Sequence, residues 1–161
     1  MRQPRGVAVV GAAALLAPIL SLAPAHSLAD PSAPAVEQRR QPPAAPTAES
    51  EYNRGIRART VQDWKTAEAA FRRAIALRAN FPDAWNELGY ALRNQGRYPE
   101  SLQAYDQALQ LRPEFPEALE YLGEAYVKLG RLDDARRILE RLRPLDGGRA
   151  RELAEVIQKG K

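Results

Sequence analysis

Between Pro82 and Leu142 the apolar positions fall at helical spacing, and the whole pattern returns 34 residues later. Trp85, Leu88 and Leu92 lie three and four apart, with the small Gly89 and Ala91 among them. That spacing predicts one apolar side of a first helix. Leu102, Tyr105, Leu109 and Leu111 predict the apolar face of a second. Gly96 stops the first helix, since glycine enters the left-handed cap conformation without a Cβ penalty. Tyr98-Pro99-Glu100 starts the second, where proline in the first turn gives up no hydrogen bond. Pro113 and Pro116 end it and turn the chain.

The register is close. Pro82, Trp85, Leu88, Gly89 and Ala91 return as Pro116, Leu119, Leu122, Gly123 and Ala125, and Tyr105 returns as Leu139. Gly130 and Asp133 repeat the stop and the start. One period back stand Gly55, Trp64, Ala67, Phe71, Ala74 and Leu77. Here the second half of the unit is good and the first half degenerate: Glu51 occupies the place of Trp85, with Tyr52 beside it. The expected units are Ala48–Phe81, Pro82–Phe115 and Pro116–Arg149. Pro144 and Gly147-Gly148 interrupt the third. A last segment, about 148–159, puts Ala150, Leu153, Ala154 and Ile157 on one side and Arg151, Glu152, Glu155 and Gln158 on the other. That is the form of a capping helix, which covers the apolar end of a stack. The fold expected is all-α: a solenoid of three antiparallel helix pairs plus a C-terminal cap. Gly89, Ala91 and Ala108 fit where helices approach closely, and Trp85, Tyr105 and Phe71 fit the core.

The first 47 residues read differently. Met1 to Arg5 is basic, Val7 to Leu22 is almost wholly apolar, and Ala23-Pro-Ala25 offers small residues. That order predicts a secretory signal peptide over 1–25, cleaved after Ala25 or Ala29, and a periplasmic or secreted protein. Its apolar run is short for a membrane span, so membrane attachment would come only through an uncleaved signal. Residues 26–47 are rich in Pro, Ala and Ser without apolar period, which predicts a disordered, extended linker. The chain has no cysteine, which suits an oxidising compartment. The formal charge is +4, and setting aside Arg2 and Arg5 leaves 22 basic against 20 acidic residues. That is no nucleic-acid footprint.

The repeated residues resemble the tetratricopeptide repeat (TPR) family, in the manner of an exported bacterial TPR domain protein. Trp85, Leu88, Gly89, Ser101, Tyr105, Ala108 and Pro113 carry its pattern in the middle unit. Leu119, Leu122, Gly123, Tyr126, Ala135 and Leu139 carry it in the third, and Gly55, Ala67, Phe71 and Ala74 in the first. The resemblance implies a superhelix whose concave groove is lined by first helices. With the packing positions removed, the groove would present Tyr52, Ile56 and Arg59, then Asn86, Tyr90, Arg93 and Asn94, then Glu117, Glu120, Glu124 and Lys128. Glu117, Glu120 and Glu124, at i, i+3 and i+7, share one helix face. They predict a partner segment carrying Lys or Arg. Clamping of a terminal carboxylate is not expected, because the comparable surface offers Tyr52, Ile56, Glu87, Glu117 and Tyr121.

The function this supports is a scaffold that binds a protein or peptide in its groove during envelope assembly or maturation. The alternatives are a self-associating structural subunit, or an envelope-binding accessory using Arg72, Arg73, Arg136, Arg137, Arg141 and Arg143 on second helices. No catalytic, metal or cofactor role is expected. The lone histidine, His26, lies in the leader, and no phosphate loop or nucleophile–base set can be assembled.

Overall fold

The computed structural model describes residues 45–160, which form seven helices and no strand. The expected signal peptide, and the linker up to residue 44, lie outside the described residues. The helices are α1 (Ala48–Thr60), α2 (Trp64–Leu77), α3 (Pro82–Asn94), α4 (Tyr98–Leu111), α5 (Pro116–Lys128), α6 (Leu132–Leu142) and α7 (Gly147–Lys159). Each packs on its chain neighbour, and α7 packs on both α5 and α6. The result is an α-solenoid of three helix pairs closed by a seventh helix. None of the helices among the described residues is long and apolar enough to cross a membrane.

Local chemistry sets the helix ends. Pro82 and Pro116 open α3 and α5, and Pro99 lies in the first turn of α4. The Asp63 carboxylate accepts from the Thr66 N–H at 3.1 Å and caps α2. Asp146 caps α7, accepting from the N–H groups of Gly148 and Arg149 at 2.9 and 3.0 Å. The degenerate start of the first unit is nonetheless a regular helix. Thr47 and Ser50 satisfy one another's backbone N–H groups there, at 3.1 and 2.9 Å.

One turn recurs three times. The N–H of Asp63, Arg97 and Arg131 donates to the carbonyl of Ala58, Leu92 and Tyr126 at 3.0, 3.0 and 2.9 Å. This closes each first helix in a Schellman arrangement. Gly96 and Gly130 hold its left-handed position at φ 75° and 72°.

Phe71 and Tyr105 are fully buried in the core, as expected. Trp85 is only partly buried. It joins the cluster around Phe71 and Leu88 to the larger one around Tyr105, Leu122 and Leu153, and its Nε1–H donates to the Ala79 carbonyl at 3.1 Å. Leu111, expected on the apolar face of α4, is 39% exposed. The glycines explain themselves: a Cβ on Gly89 would sit 2.6 Å from the Tyr105 ring, and one on Gly55 would strike Phe71.

Candidate functional site

The first helices α1, α3 and α5 lie side by side, and their shared face is built from tyrosine rings, guanidinium groups and carboxylates. Tyr90 on α3 and Tyr121 on α5 pack at a 5.0 Å ring separation, and Trp64 meets Tyr90 edge-on at 5.8 Å. Arg59 reaches from α1 to Glu87 on α3 at 2.6 Å, with its guanidinium 4.5 Å from the Tyr90 ring centre. Arg93 reaches from α3 to Glu124 on α5 and lies 5.2 and 4.9 Å from the rings of Tyr90 and Tyr121. Each guanidinium thus sits between a carboxylate and an aromatic face, where both attractions act together. The Tyr121 hydroxyl donates to Glu117 at 3.1 Å.

Two clefts open beside α3. One is lined by Ile56, Arg59, Thr60, Gln62, Trp64 and Tyr90. The other is lined by Arg93, Asn94, Tyr98, Glu124, Lys128 and Val156. Seven of the eleven residues predicted from the sequence therefore line these clefts: Ile56, Arg59, Tyr90, Arg93, Asn94, Glu124 and Lys128. Tyr52 and Glu117 are partly exposed.

Asn86 and Glu120, expected on the open groove, are buried instead. They are 1% and 4% exposed. Glu120 is held by Arg149, which comes from α7 and lies 29 residues downstream. At the corresponding place in the first unit, Tyr52 packs on Phe81, also 29 residues on, at 5.0 Å. In the same register Asn86 corresponds to Phe115, which is itself buried. In the first and third units this position is covered by the chain leading out of the helix pair. The expected open face of Glu117, Glu120 and Glu124 does not exist as such: Glu120 is enclosed and Glu124 is already paired with Arg93.

Glu87 and Tyr121, expected only on the surface comparable to a carboxylate clamp, and Trp64, not expected at all, join this face. Glu87 and Tyr121 lie three residues before Tyr90 and Glu124, one helical turn along the same face, and that spacing could have found them. Trp64 opens a second helix, and no pattern in the first helices points to it.

Burial and charge act on these groups together. The Tyr52 hydroxyl is pushed up to about 12 by burial, reinforced by Glu87, Asp83 and Glu117. Burial with Glu117 does the same to Tyr121, again to about 12. Burial raises the Glu87 carboxyl against the pull of Arg59, and that of Glu120 against Arg149. The second-helix arginines are largely spoken for. Arg72 meets Glu68, Arg73 meets Glu51 at 2.7 Å, Arg136 meets Asp133 at 2.5 Å, and Arg137 meets Asp134. Among the described residues no group of three His, Cys, Asp or Glu could hold a metal ion.

A solenoid of helix pairs whose first helices present an aromatic and charged face is a repeat protein of the two-helix class. Its sequence names the family. Residues 70–103 match a tetratricopeptide repeat model and residues 89–130 match a second TPR model. Residues 70–130 of the chain therefore carry tetratricopeptide repeats.

Solved structures share this fold. The TPR2B domain of yeast Sti1, in a pHsp70 complex, superposes with a TM-score of 0.67 at 23% identity, over 70% of this chain and 94% of that one. MamA gives 0.58 at 27% identity, over 70% of this chain and 61% of that one. The Yersinia enterocolitica type III secretion chaperone SycD, with a peptide of the translocator YopD, gives 0.64 at 17% identity, over 68% and 91%. The comparison with curated proteins found no match.

Proposed function

We propose that this protein is a non-catalytic interaction module that holds a peptide or an extended segment of another protein across the face of α1, α3 and α5. The observation that carries this reading is the Arg59–Tyr90–Arg93–Tyr121 array. It is a rigid row of rings and guanidinium groups, tied by Glu87 and Glu124 and left partly open to solvent with a cleft on either side. Aromatic and arginine side chains of this kind dominate binding energy at protein interfaces. The similar structures of Sti1 in a pHsp70 complex and of SycD with a YopD peptide support the same use.

The setting we infer is the cell envelope, on the strength of the basic, apolar and small-residue order of the first 25 residues. Among the described residues the outer sides of α1 and α7 are polar, and the most exposed large apolar side chains, Val61 and Leu77, sit at helix ends. The outer side of α7 carries Arg151, Glu152, Glu155 and Gln158, and that of α1 carries Asn53, Arg54 and Arg57, all exposed.

A random-peptide display selection against the full chain tests the binding reading. The expected result is a set of peptides that bind the native protein and are lost with Tyr90→Ala, while Gln158→Ala on α7 retains them. Peptides that bind both variants alike would move the site off this face. Cell fractionation that recovers the protein only with cytosolic markers would remove the envelope setting.

A further inference from the structure

The repeat supplies a cation for the second residue of each first helix, except in the third unit. In the first unit Glu49 pairs with Arg78, 29 residues on. In the second, Asp83 takes both arms of Arg112, again 29 residues on, at 3.0 and 2.7 Å. The third unit has Glu117 in that place, and the residue 29 further on is Asp146. Asp146 is used to cap α7. Arg149 lies in range of Glu117, but it is committed to Glu120 and Asp146. Among the described residues Glu117 has no cation within ion-pair distance, and its one partner is the Tyr121 hydroxyl.

The face already shows what such a place accepts. It contains carboxylates set against tyrosine rings, and in two cases a guanidinium lies between them: Arg59 with Glu87 and Tyr90, and Arg93 with Glu124 and Tyr121. Glu117 with Tyr121 is a third carboxylate–tyrosine couple, and it has no cation. A separate observation points the same way. Glu87 has a side chain only 6% exposed, and its Oε2 has no hydrogen-bond partner. Asp83 is neutralised by Arg112 and Glu87 by Arg59, so Glu117 leaves one negative charge unmatched at this end of the face.

We propose that the segment bound across α1, α3 and α5 places a lysine or arginine side chain against Glu117 and Tyr121, on the side toward Tyr52 and Glu87. The cation meets Glu117 directly and lies along the Tyr121 ring, as Arg93 does from the other side. A desolvated cation–ring contact and a charge-assisted hydrogen bond act together there. The inference rests on the peptide-binding reading. It also moves the expected basic contact from Glu120 and Glu124, which are occupied, to Glu117, which is not.

The test uses the peptides selected against the full chain. Each is resynthesised with its basic residue replaced by norleucine, and both forms are titrated by fluorescence anisotropy against the native protein, Glu117→Gln and Glu152→Gln. The glutamine at 117 still accepts from Tyr121, so the fold is retained, and a melting curve checks it. The expected result is a basic residue at one fixed place in the selected set, and a loss of about tenfold or more in affinity when it is neutralised. Glu117→Gln should cause the same loss for the basic peptide and none for the norleucine peptide, while Glu152→Gln causes none for either. Peptides that require Tyr90 but show no preference for a basic residue would overturn this inference and leave the groove standing. Equal losses for both peptides with Glu117→Gln would also overturn it. A selection that yields no Tyr90-dependent peptide would remove the groove reading and this inference together.

Discussion

The second and third units follow the same repeat and close it by different means. In the second, Gly89 lies under the ring of Tyr105, from the unit's own second helix. In the third, the residue in register with Tyr105 is Leu139, and Gly123 is met instead by Leu153, reaching in from α7 at 2.5 Å from a would-be Cβ. The repeat therefore conserves a volume above a glycine, while the residue that supplies it changes. The seventh helix is a lid over apolar surface, and it also completes the unit before it. This explains why α7 packs on α5 more extensively than α3 does.

Emptying each space tests whether Tyr105 and Leu153 do the same work. Tyr105→Ala should cost about 3–5 kcal/mol, as for other large buried aromatics. Leu153→Ala should cost about 2–5 kcal/mol, the range of a fully buried leucine, although it belongs to the terminal helix. Chemical denaturation of both variants measures this. If Leu153→Ala loses less than about 1 kcal/mol, α7 is a dispensable lid and the third unit is closed from within.

Filling the glycines sharpens the same point at smaller scale. Gly89→Ala and Gly123→Ala both overpack a contact, at roughly 1–3 kcal/mol. The neighbour at Gly89 is a tilted ring buried on all sides, while at Gly123 it is the end of a leucine that can change rotamer. Gly89→Ala should therefore be the costlier of the two, and Gly89→Leu should lower the melting temperature by several degrees. Equal melting temperatures for the two alanine variants would show that the leucine is as fixed as the ring.

The ring also places an alkali-sensitive hydroxyl at a core position where the other two units carry none. The Tyr105 hydroxyl is buried without a hydrogen-bond partner, and burial raises its pKa far above the usual tyrosine value. Its folded-state pKa exceeds the unfolded value near 10. Its contribution is therefore complete below pH 10 and is lost progressively as the pH rises beyond it. Phe71 and Leu139, in register, have no proton to lose. Tyr105→Phe should be near neutral or mildly stabilising at pH 7, because it removes an unsatisfied polar group. It should also flatten the decline in stability above pH 10. An alkaline profile identical to that of the native protein would place the sensitivity elsewhere, with Tyr52 and Tyr121 the next to examine.

These contrasts also mark what could be read from the chain. The helix pairs follow from apolar spacing, glycine stops and proline starts, all of which act within a few residues. The first helix of the opening unit is harder to read, because Glu51 stands where Trp85 stands in the next, and its start is a capping box with Ser50 in place of the usual Glu or Gln. On the face of α1, α3 and α5 the period identified most of the exposed positions. It failed at Asn86 and Glu120, which are buried, Glu120 by a residue 29 positions downstream. Tyr52 beneath Phe81 and Glu120 beneath Arg149 are contacts between segments that no local spacing joins. The same distance hid the unpaired state of Glu117, which becomes visible only when Asp146 is set beside Arg78 and Arg112.

The turn that closes each first helix gives the finest comparison. Gly96 and Gly130 hold the left-handed position in the second and third units, and in the first it is held by Gln62 at φ 58°. The hydrogen bond that closes the turn is the same in all three. A side chain in this conformation costs roughly 1–2 kcal/mol, while glycine loses roughly 0.5–1 kcal/mol more backbone entropy on folding. Gln62→Gly should thus stabilise the protein by about 1 kcal/mol or less, and Gly96→Gln should lose a similar amount. A Cβ at Gly96 would meet no atom within 4 Å, so that loss would report backbone strain free of any clash. Paired denaturation curves for the two variants decide the matter. If Gln62→Gly destabilises, the glutamine side chain, which lines the cleft beside Trp64 and Tyr90, contributes more than its backbone costs. The first unit's departure from glycine would then belong to the binding face and not to the turn.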